Sequence, residues 1–228
     1  MKLLCISDQI DPLIYSAGVK ERYGDVDAVL CAGDLPMEYI DFIVTTLNKP
    51  TYFIFGNHNL DDYRYYHATP DNGGYIPDPE LNHCHGAVYA GFKVIRAGNL
   101  IITGLSGSLR YNKGLSQYTD RQMARQIRRL SFKLRLNKLL YGRATDILLT
   151  HSPPEGIHDK NDPCHKGFKC FLKFMDTFSP KYLVHGHIHL YDIQEPRTTQ
   201  YKNTTVINAF GHYVIEMPDP VTKEKHTT

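Results

Sequence analysis

Eight residues of the types that hold metal ions or move protons follow directly on short apolar runs. Leu3 to Ser7 ends at Asp8, Ala28 to Ala32 at Gly33-Asp34, and Tyr52 to Phe55 at Gly56-Asn57-His58. Ile147 to Thr150 ends at His151, and Tyr182 to Val184 at His185-Gly186-His187-Ile188-His189. Carboxylate, amide oxygen and imidazole without thiolate suit Mn²⁺, iron or Zn²⁺ rather than Cu⁺ or an iron–sulfur cluster. The donors are too many for one ion. A carboxylate shared by two ions about 3.5–4 Å apart would polarise a phosphoryl group and deprotonate a bound water near neutral pH.

Those donors span the chain, so the fold must gather them. The runs Leu3 to Ile6, Ala28 to Cys31, Thr51 to Phe55, Asp146 to Leu149 and Tyr182 to Val184 read as strands buried on both faces. Met37 to Leu47 and Lys166 to Phe178 carry apolar residues at helical spacing between them. Alternating strand and helix is an α/β pattern, and ligands in such sheets bind beyond the carboxyl ends of the strands. Gly86 to Leu105, around Ala97-Gly98-Asn99, and Thr204 to Met217, around Phe210-Gly211, read as two hairpins. Antiparallel pieces beside βα units suggest two mixed sheets packed together with helices outside. The expected organisation is a single domain over 1–217 with a polar tail over 218–228. Glycines 33, 56 and 186 are expected to turn the backbone sharply so that the neighbouring side chains enter one cleft.

The longest helix is predicted from the N-cap Thr119 to about Tyr141, ended by Gly142, with Met123, Ile127, Leu130 and Leu134 on one face. From Arg121 to Arg143 it gathers eight basic residues against the single acid Asp120, as either a solvated outer face or a surface for phosphate or a partner. Asp61 to Asn82, rich in proline and glycine, reads as a long surface loop.

Composition narrows the function further. At 228 residues and 42% hydrophobic, the chain can bury a sizeable core. The 26 basic and 24 acidic residues leave only +2, so anion chemistry must be local and a nucleic-acid partner is not favoured. No apolar run approaches a bilayer span, and no membrane partner is expected. The N-terminal apolar stretch stops at Asp8, too early for a secretory leader, and the five cysteines form no framework; the expected location is cytoplasmic.

Asp8, Gly33-Asp34, Gly56-Asn57-His58, His151 and Gly186-His187-Ile188-His189, in this order, resemble the signature blocks of the calcineurin-like metallophosphoesterase superfamily. The resemblance covers residue 3 to about 216. It implies a four-layer α/β/β/α sandwich with a two-metal centre at the strand ends. It also implies that Asp34 bridges two divalent ions (Mn, Fe or Zn), that Asn57, His151 and His187 complete one, and that Asp8 and His189 serve the other. His58 is then the acid that protonates the leaving oxygen. The implied reaction is attack of a metal-bound hydroxide on a phosphoester without a covalent intermediate.

Two positions depart from the superfamily pattern. The first block is usually Asp-x-His, but Ile10 stands at its end and cannot ligate, which leaves one ion short of a donor. Asp11 either replaces that donor or simply opens the Asp11-Pro12 turn. After His58, Asn59 stands where an acid often orients the histidine.

Substrate contacts are read from two stretches that resemble a prokaryotic branch of the superfamily, Ser106-Gly107-Ser108 with Arg110, Tyr111 and Asn112, and His151-Ser152-Pro153-Pro154 leading to His158, Asp159 and His165. Arg110, His158, Asp159 and His165 are the candidates. The expected function is hydrolysis of a small or nucleotide-like phosphodiester. The competing readings are a phosphomonoesterase or protein phosphatase, a nuclease, and a weakened protein-binding member of the fold.

Overall fold

The structure is a computed structural model that describes residues 1–67, 86–192 and 194–220. The elements are β1 (Lys2–Ser7), α1 (Val19–Tyr23), β2 (Ala28–Cys31), α2 (Met37–Leu47), β3 (Thr51–Phe53), α3 (Tyr63–Tyr66), β4 (Ala87–Tyr89), β5 (Lys93–Ala97) and β6 (Leu100–Leu105). They continue with β7 (Ser108–Leu109), β8 (Gln117–Tyr118), α4 (Asp120–Tyr141), β9 (Ile147–Thr150), α5 (Lys169–Phe178), β10 (Tyr182–His185), β11 (Thr198–Tyr201), β12 (Thr204–Asn208) and β13 (Gly211–Glu216).

Two mixed sheets form, in the orders β13-β1-β2-β3-β4 and β11-β12-β10-β9-β6-β5. The central strands of each are parallel; the edge strands β13, β11 and β5 are antiparallel to their neighbours, and the edge strand β4 is parallel to β3. Leu3, Cys5 and Leu30 of the first sheet meet Ile102, Leu149 and Val184 of the second in one apolar layer. The other face of the first sheet packs Leu4, Ile6 and Val29 against Ile40 and Ile43 of α2, and that of the second packs Leu148 and Leu183 against Met123 of α4 and Phe171 of α5. Both faces of the central strands are thus covered, which explains their nearly unbroken apolar runs, and the layers are helix, sheet, sheet, helix as expected.

The longest helix starts and stops where its sequence signals it. Thr119 Oγ1 accepts the Gln122 amide at 3.2 Å while Gln122 Oε1 accepts the Thr119 amide at 2.9 Å, a reciprocal cap. Gly142, at φ 78°, ends it in the left-handed conformation.

Differences from expectation lie in the connections. The Gly98 hairpin forms between β5 and β6, but β4 pairs with β3 in the other sheet. Around Phe210-Gly211 no hairpin forms. Instead β12 pairs with β10 while β13 pairs with β1, so the chain crosses from one sheet to the other. The C-terminal hairpin is β11 with β12, turning at Lys202 and Asn203. Alternation marks both strands but not the sheet each joins. α5 begins at Lys169 rather than Lys166. Of the predicted loop from Asp61, residues 63–66 form α3, and 68–85 lie outside the described residues, as does the tail from 221. Among the described residues no helix is long and apolar enough to cross a membrane.

Candidate metal centre

The strand-end blocks of both sheets meet at one edge of the sandwich. Donor atoms of Asp34, His151 and His187 lie within 4.8 Å of one another, all three residues buried. His151 Nε2 stands 3.2 Å from Asp34 Oδ2 and 3.2 Å from Asn57 Oδ1. Its Nδ1 donates to the Ala32 carbonyl at 2.9 Å, which turns the Nε2 lone pair toward those two oxygens. Three electron-rich atoms facing one point need a cation between them, a proton or a metal ion. His187 is oriented in the same way, with Nε2–H donating to the Cys164 carbonyl at 2.7 Å and Nδ1 left over. A histidine tied to backbone through one ring nitrogen is the usual preparation for ligation through the other. The donor set therefore fits a divalent ion.

Asp8 sits beside His187. Both its carboxylate oxygens accept the His187 amide, at 2.9 and 3.0 Å. His189 Nε2 lies 4.0 Å from Asp8 Oδ1, its Nδ1 is 2.8 Å from the Tyr191 hydroxyl, and its ring stacks on Phe210. Ile10 is 46% exposed. Asp11 accepts the Leu13 amide at 2.9 Å, opening the turn, and its other oxygen is 2.6 Å from His212 Nδ1. Its carboxylate is engaged by β13 and by its own turn.

Local backbone geometry aims these groups. Asp8, Asp34 and His187 all have positive φ, at 68°, 56° and 68°. Such residues cost of order 1 kcal/mol or more each and persist only where surroundings enforce them. Of the three glycines, Gly33 alone needs a left-handed turn, at φ 98°. Gly56 and Gly186 are needed for closeness instead: a methyl on Gly56 would overlap Asp34 Oδ1 and His151 Nε2, and one on Gly186 would overlap Asp8 Oδ2 and Ser7.

Electrostatics follow from this crowding. Burial works against charge on both Asp34 and His151, but their mutual attraction outweighs it, lowering Asp34 to about 2 and raising His151 to about 9. Burial pushes Asp8 above the usual carboxylate range. It also lowers His187 to about 3, helped by the neighbouring His151.

The remaining candidates divide. His58 is exposed at the mouth, its amide held by Asp34 Oδ1 at 2.7 Å, while Asn59 Nδ2 donates to the Asp34 carbonyl at 2.9 Å. His165 lies beside His187, ring centroids 5.5 Å apart, and its Nδ1 sits 2.8 and 3.0 Å from the two oxygens of Asp162. Arg110 turns away, donating to the Gln117 carbonyl and to Gln122 Oε1 at the start of α4. Its neighbour Tyr111 reaches the centre instead, accepting from Asn57 Nδ2 at 3.1 Å. Asp159 braces its loop by accepting the Gly156 and Gly167 amides.

His158 joins a chain of hydrogen bonds behind the centre. His185 Nδ1 donates to the Gly186 carbonyl, His158 Nδ1 donates to His185 Nε2 at 2.9 Å, and Thr199 donates to His158 Nε2 at 2.8 Å. Burial lowers His158 to about 4 and takes His185 well below its ordinary value, so both rings are neutral. Asp162 and Thr199 carried no signal in the sequence, because each acts through a histidine distant from any block.

A family profile described as calcineurin-like phosphoesterase matches residues 1–191. The chain belongs to the calcineurin-like phosphoesterase family. Two solved structures are similar to this calcineurin-like phosphoesterase in fold. One is 13% identical with TM-score 0.62, covering 94% of this chain and 94% of its own. The other, TT1561 of Thermus thermophilus, is 12% identical with TM-score 0.61, covering 92% of this chain and 89% of its own. No curated protein matches the sequence. The family supports a metal-dependent phosphoesterase, and its use of divalent metals agrees with the donors gathered around Asp34.

Proposed function

We propose that the protein hydrolyses a small or nucleotide-like phosphodiester at a centre for two divalent ions. The observation that carries this reading is the gathering of donor atoms of Asp34, His151 and His187 within 4.8 Å of one another, with each histidine held to a backbone carbonyl through one ring nitrogen. Asp34, Asn57, His151 and His187 would hold one ion, and Asp8, Asp34 and His189 the other. Such ions supply Lewis acidity toward phosphoryl oxygens and acidify water.

The chain's own residues do the rest. Asp34 fixes the His58 amide, which places the ring at the mouth to donate a proton to the departing oxygen. Tyr111 holds the Asn57 amide so that Oδ1 faces inward. Arg110, the cation that a dianionic monoester would call on, is engaged at Gln117 and Gln122, which favours a singly charged diester.

A second reading rests on Ile10. With no donor at that position and Asp11 engaged by His212, the Asp8 side is short of ligands, as in a protein-binding member of the fold. Turnover of a chromogenic diester and its monoester counterpart with Mn²⁺, in the parent, His58→Ala and Asp34→Ala, separates the readings. Diester preference with a loss of roughly 100-fold or more in both variants is expected. Monoester preference transfers the assignment to a phosphomonoesterase, and equal rates in all three proteins support the protein-binding reading.

A further inference from the structure

Helix α4 buries one face and leaves an unusual one in solvent. Met123, Ile127 and Leu134 point into the core against α5. On the opposite side Phe132 is 79% exposed and Leu139 77%, with Leu136 and Leu140 also exposed. At about 100° per residue, Phe132, Leu136 and Leu139 fall within roughly 60° of one another. Arg121, Arg125 and Arg128 project in the same direction from the preceding turns, and all three are exposed. The outward face is therefore basic in its first half and apolar in its second. Large apolar groups clustered in solvent mark a contact surface.

We propose that this face docks on an anionic lipid surface, with Phe132, Leu136 and Leu139 entering the acyl boundary and the arginines meeting headgroup phosphates. Charge selects the occupant. The helix carries seven basic residues against one acid, so a second copy using the same face would offer the arginines no carboxylates to pair with. A nucleic acid would satisfy the arginines but leave four exposed apolar side chains without partners.

Shape favours lipid over an acidic protein. The apolar half is a ridge of projecting side chains, and the depression found on this helix, lined by Arg121, Ala124, Arg125 and Arg128, lies in the basic half. A fluid interface receives projecting Phe and Leu without a preformed pocket, and it holds Arg at headgroup level. The contact is peripheral, since no described helix is apolar enough to span a bilayer. It revises the sequence-based expectation of no membrane partner and is independent of the phosphoesterase reading.

Co-sedimentation with phosphatidylcholine vesicles, alone or with roughly one-third phosphatidylglycerol, tests the proposal. The parent should partition at least about tenfold more strongly onto the anionic vesicles. Phe132→Ser/Leu139→Ser and Arg125→Glu/Arg128→Glu should each lower that partition about tenfold, with unchanged thermal unfolding because the replaced side chains are exposed. Absence of partition by the parent, or partition by both variants equal to the parent's, overturns it. So does a parent dimer that becomes monomeric in Phe132→Ser/Leu139→Ser without vesicle binding, which assigns the face to a second copy. Loss in the charge variant alone overturns it too, because the ridge then contributes nothing.

Discussion

Asp8 receives the backbone amide of His187 in both oxygens, and the bond joins the two sheets, since Asp8 follows β1 and His187 follows β10. The carboxylate thus positions the opposite loop as well as facing the candidate centre. Asp8→Ala removes the acceptor from a part-buried amide and leaves alanine at a positive φ, which together should cost about 2–4 kcal/mol. Asp8→Asn keeps an acceptor and tolerates the backbone, so it should cost about half as much or less. Urea unfolding of the metal-free proteins checks this. Equal stability of the two variants would mean the bond does not hold the sheets together.

Tyr111 determines which atom of Asn57 faces His151. Its hydroxyl accepts from Asn57 Nδ2, so Oδ1 is the atom presented inward. Tyr111→Phe removes that constraint without altering the ring, and metal affinity should fall about 10-fold or more, as for other residues that orient a ligand. Calorimetric titration with Mn²⁺ reads this out, and an unchanged affinity would show that Asn57 is fixed by other means.

Much of this site can be read in the sequence because apolar runs stop abruptly at Asp8, Asp34, Asn57, His151 and His187, and parallel strands deliver their ends to one edge. The ends of α4 are equally legible, since Thr119, Gln122 and Gly142 act locally. What could not be read lies in the backbone. Ala32 and Cys164 orient two histidines through carbonyl oxygens, which every residue possesses. Gly56 and Gly186 look like turn residues but serve close packing. Arg110 and Tyr111 are adjacent and both polar, and only the path of the chain after β7 decides which reaches Asn57. The crossing at Phe210-Gly211 escapes for a related reason, since the strand period does not say which sheet a strand joins.

The neutral pair His158 and His185 should make folding sensitive to mild acid. Both are held below their ordinary values, His158 at about 4, so the unfolded chain binds protons that the folded one refuses. Stability is then fully present above about pH 6.5 and declines as pH falls toward 4. Replacing the pair together, His158→Phe with His185→Leu, should make that decline shallower in denaturant titrations across this range, leaving the share contributed by His187, held at about 3. A parallel decline in the variant would place the acid sensitivity elsewhere.

At the metal centre the sign is the opposite. His151 is raised to about 9 because Asp34 beside it outweighs the effect of burial. In the metal-free protein their attraction stabilises the fold fully below about pH 6.5 and is lost as pH rises through 9. A metal ion must displace that proton before His151 can ligate. Apparent Mn²⁺ affinity should therefore rise about tenfold per pH unit up to about pH 9 and level off above it, with about one proton released per ion bound. Titration calorimetry in buffers of different ionisation enthalpy measures both quantities. In His151→Gln the proton release should vanish and the affinity should become weak and nearly independent of pH. An unaltered release in that variant would assign the proton to another group.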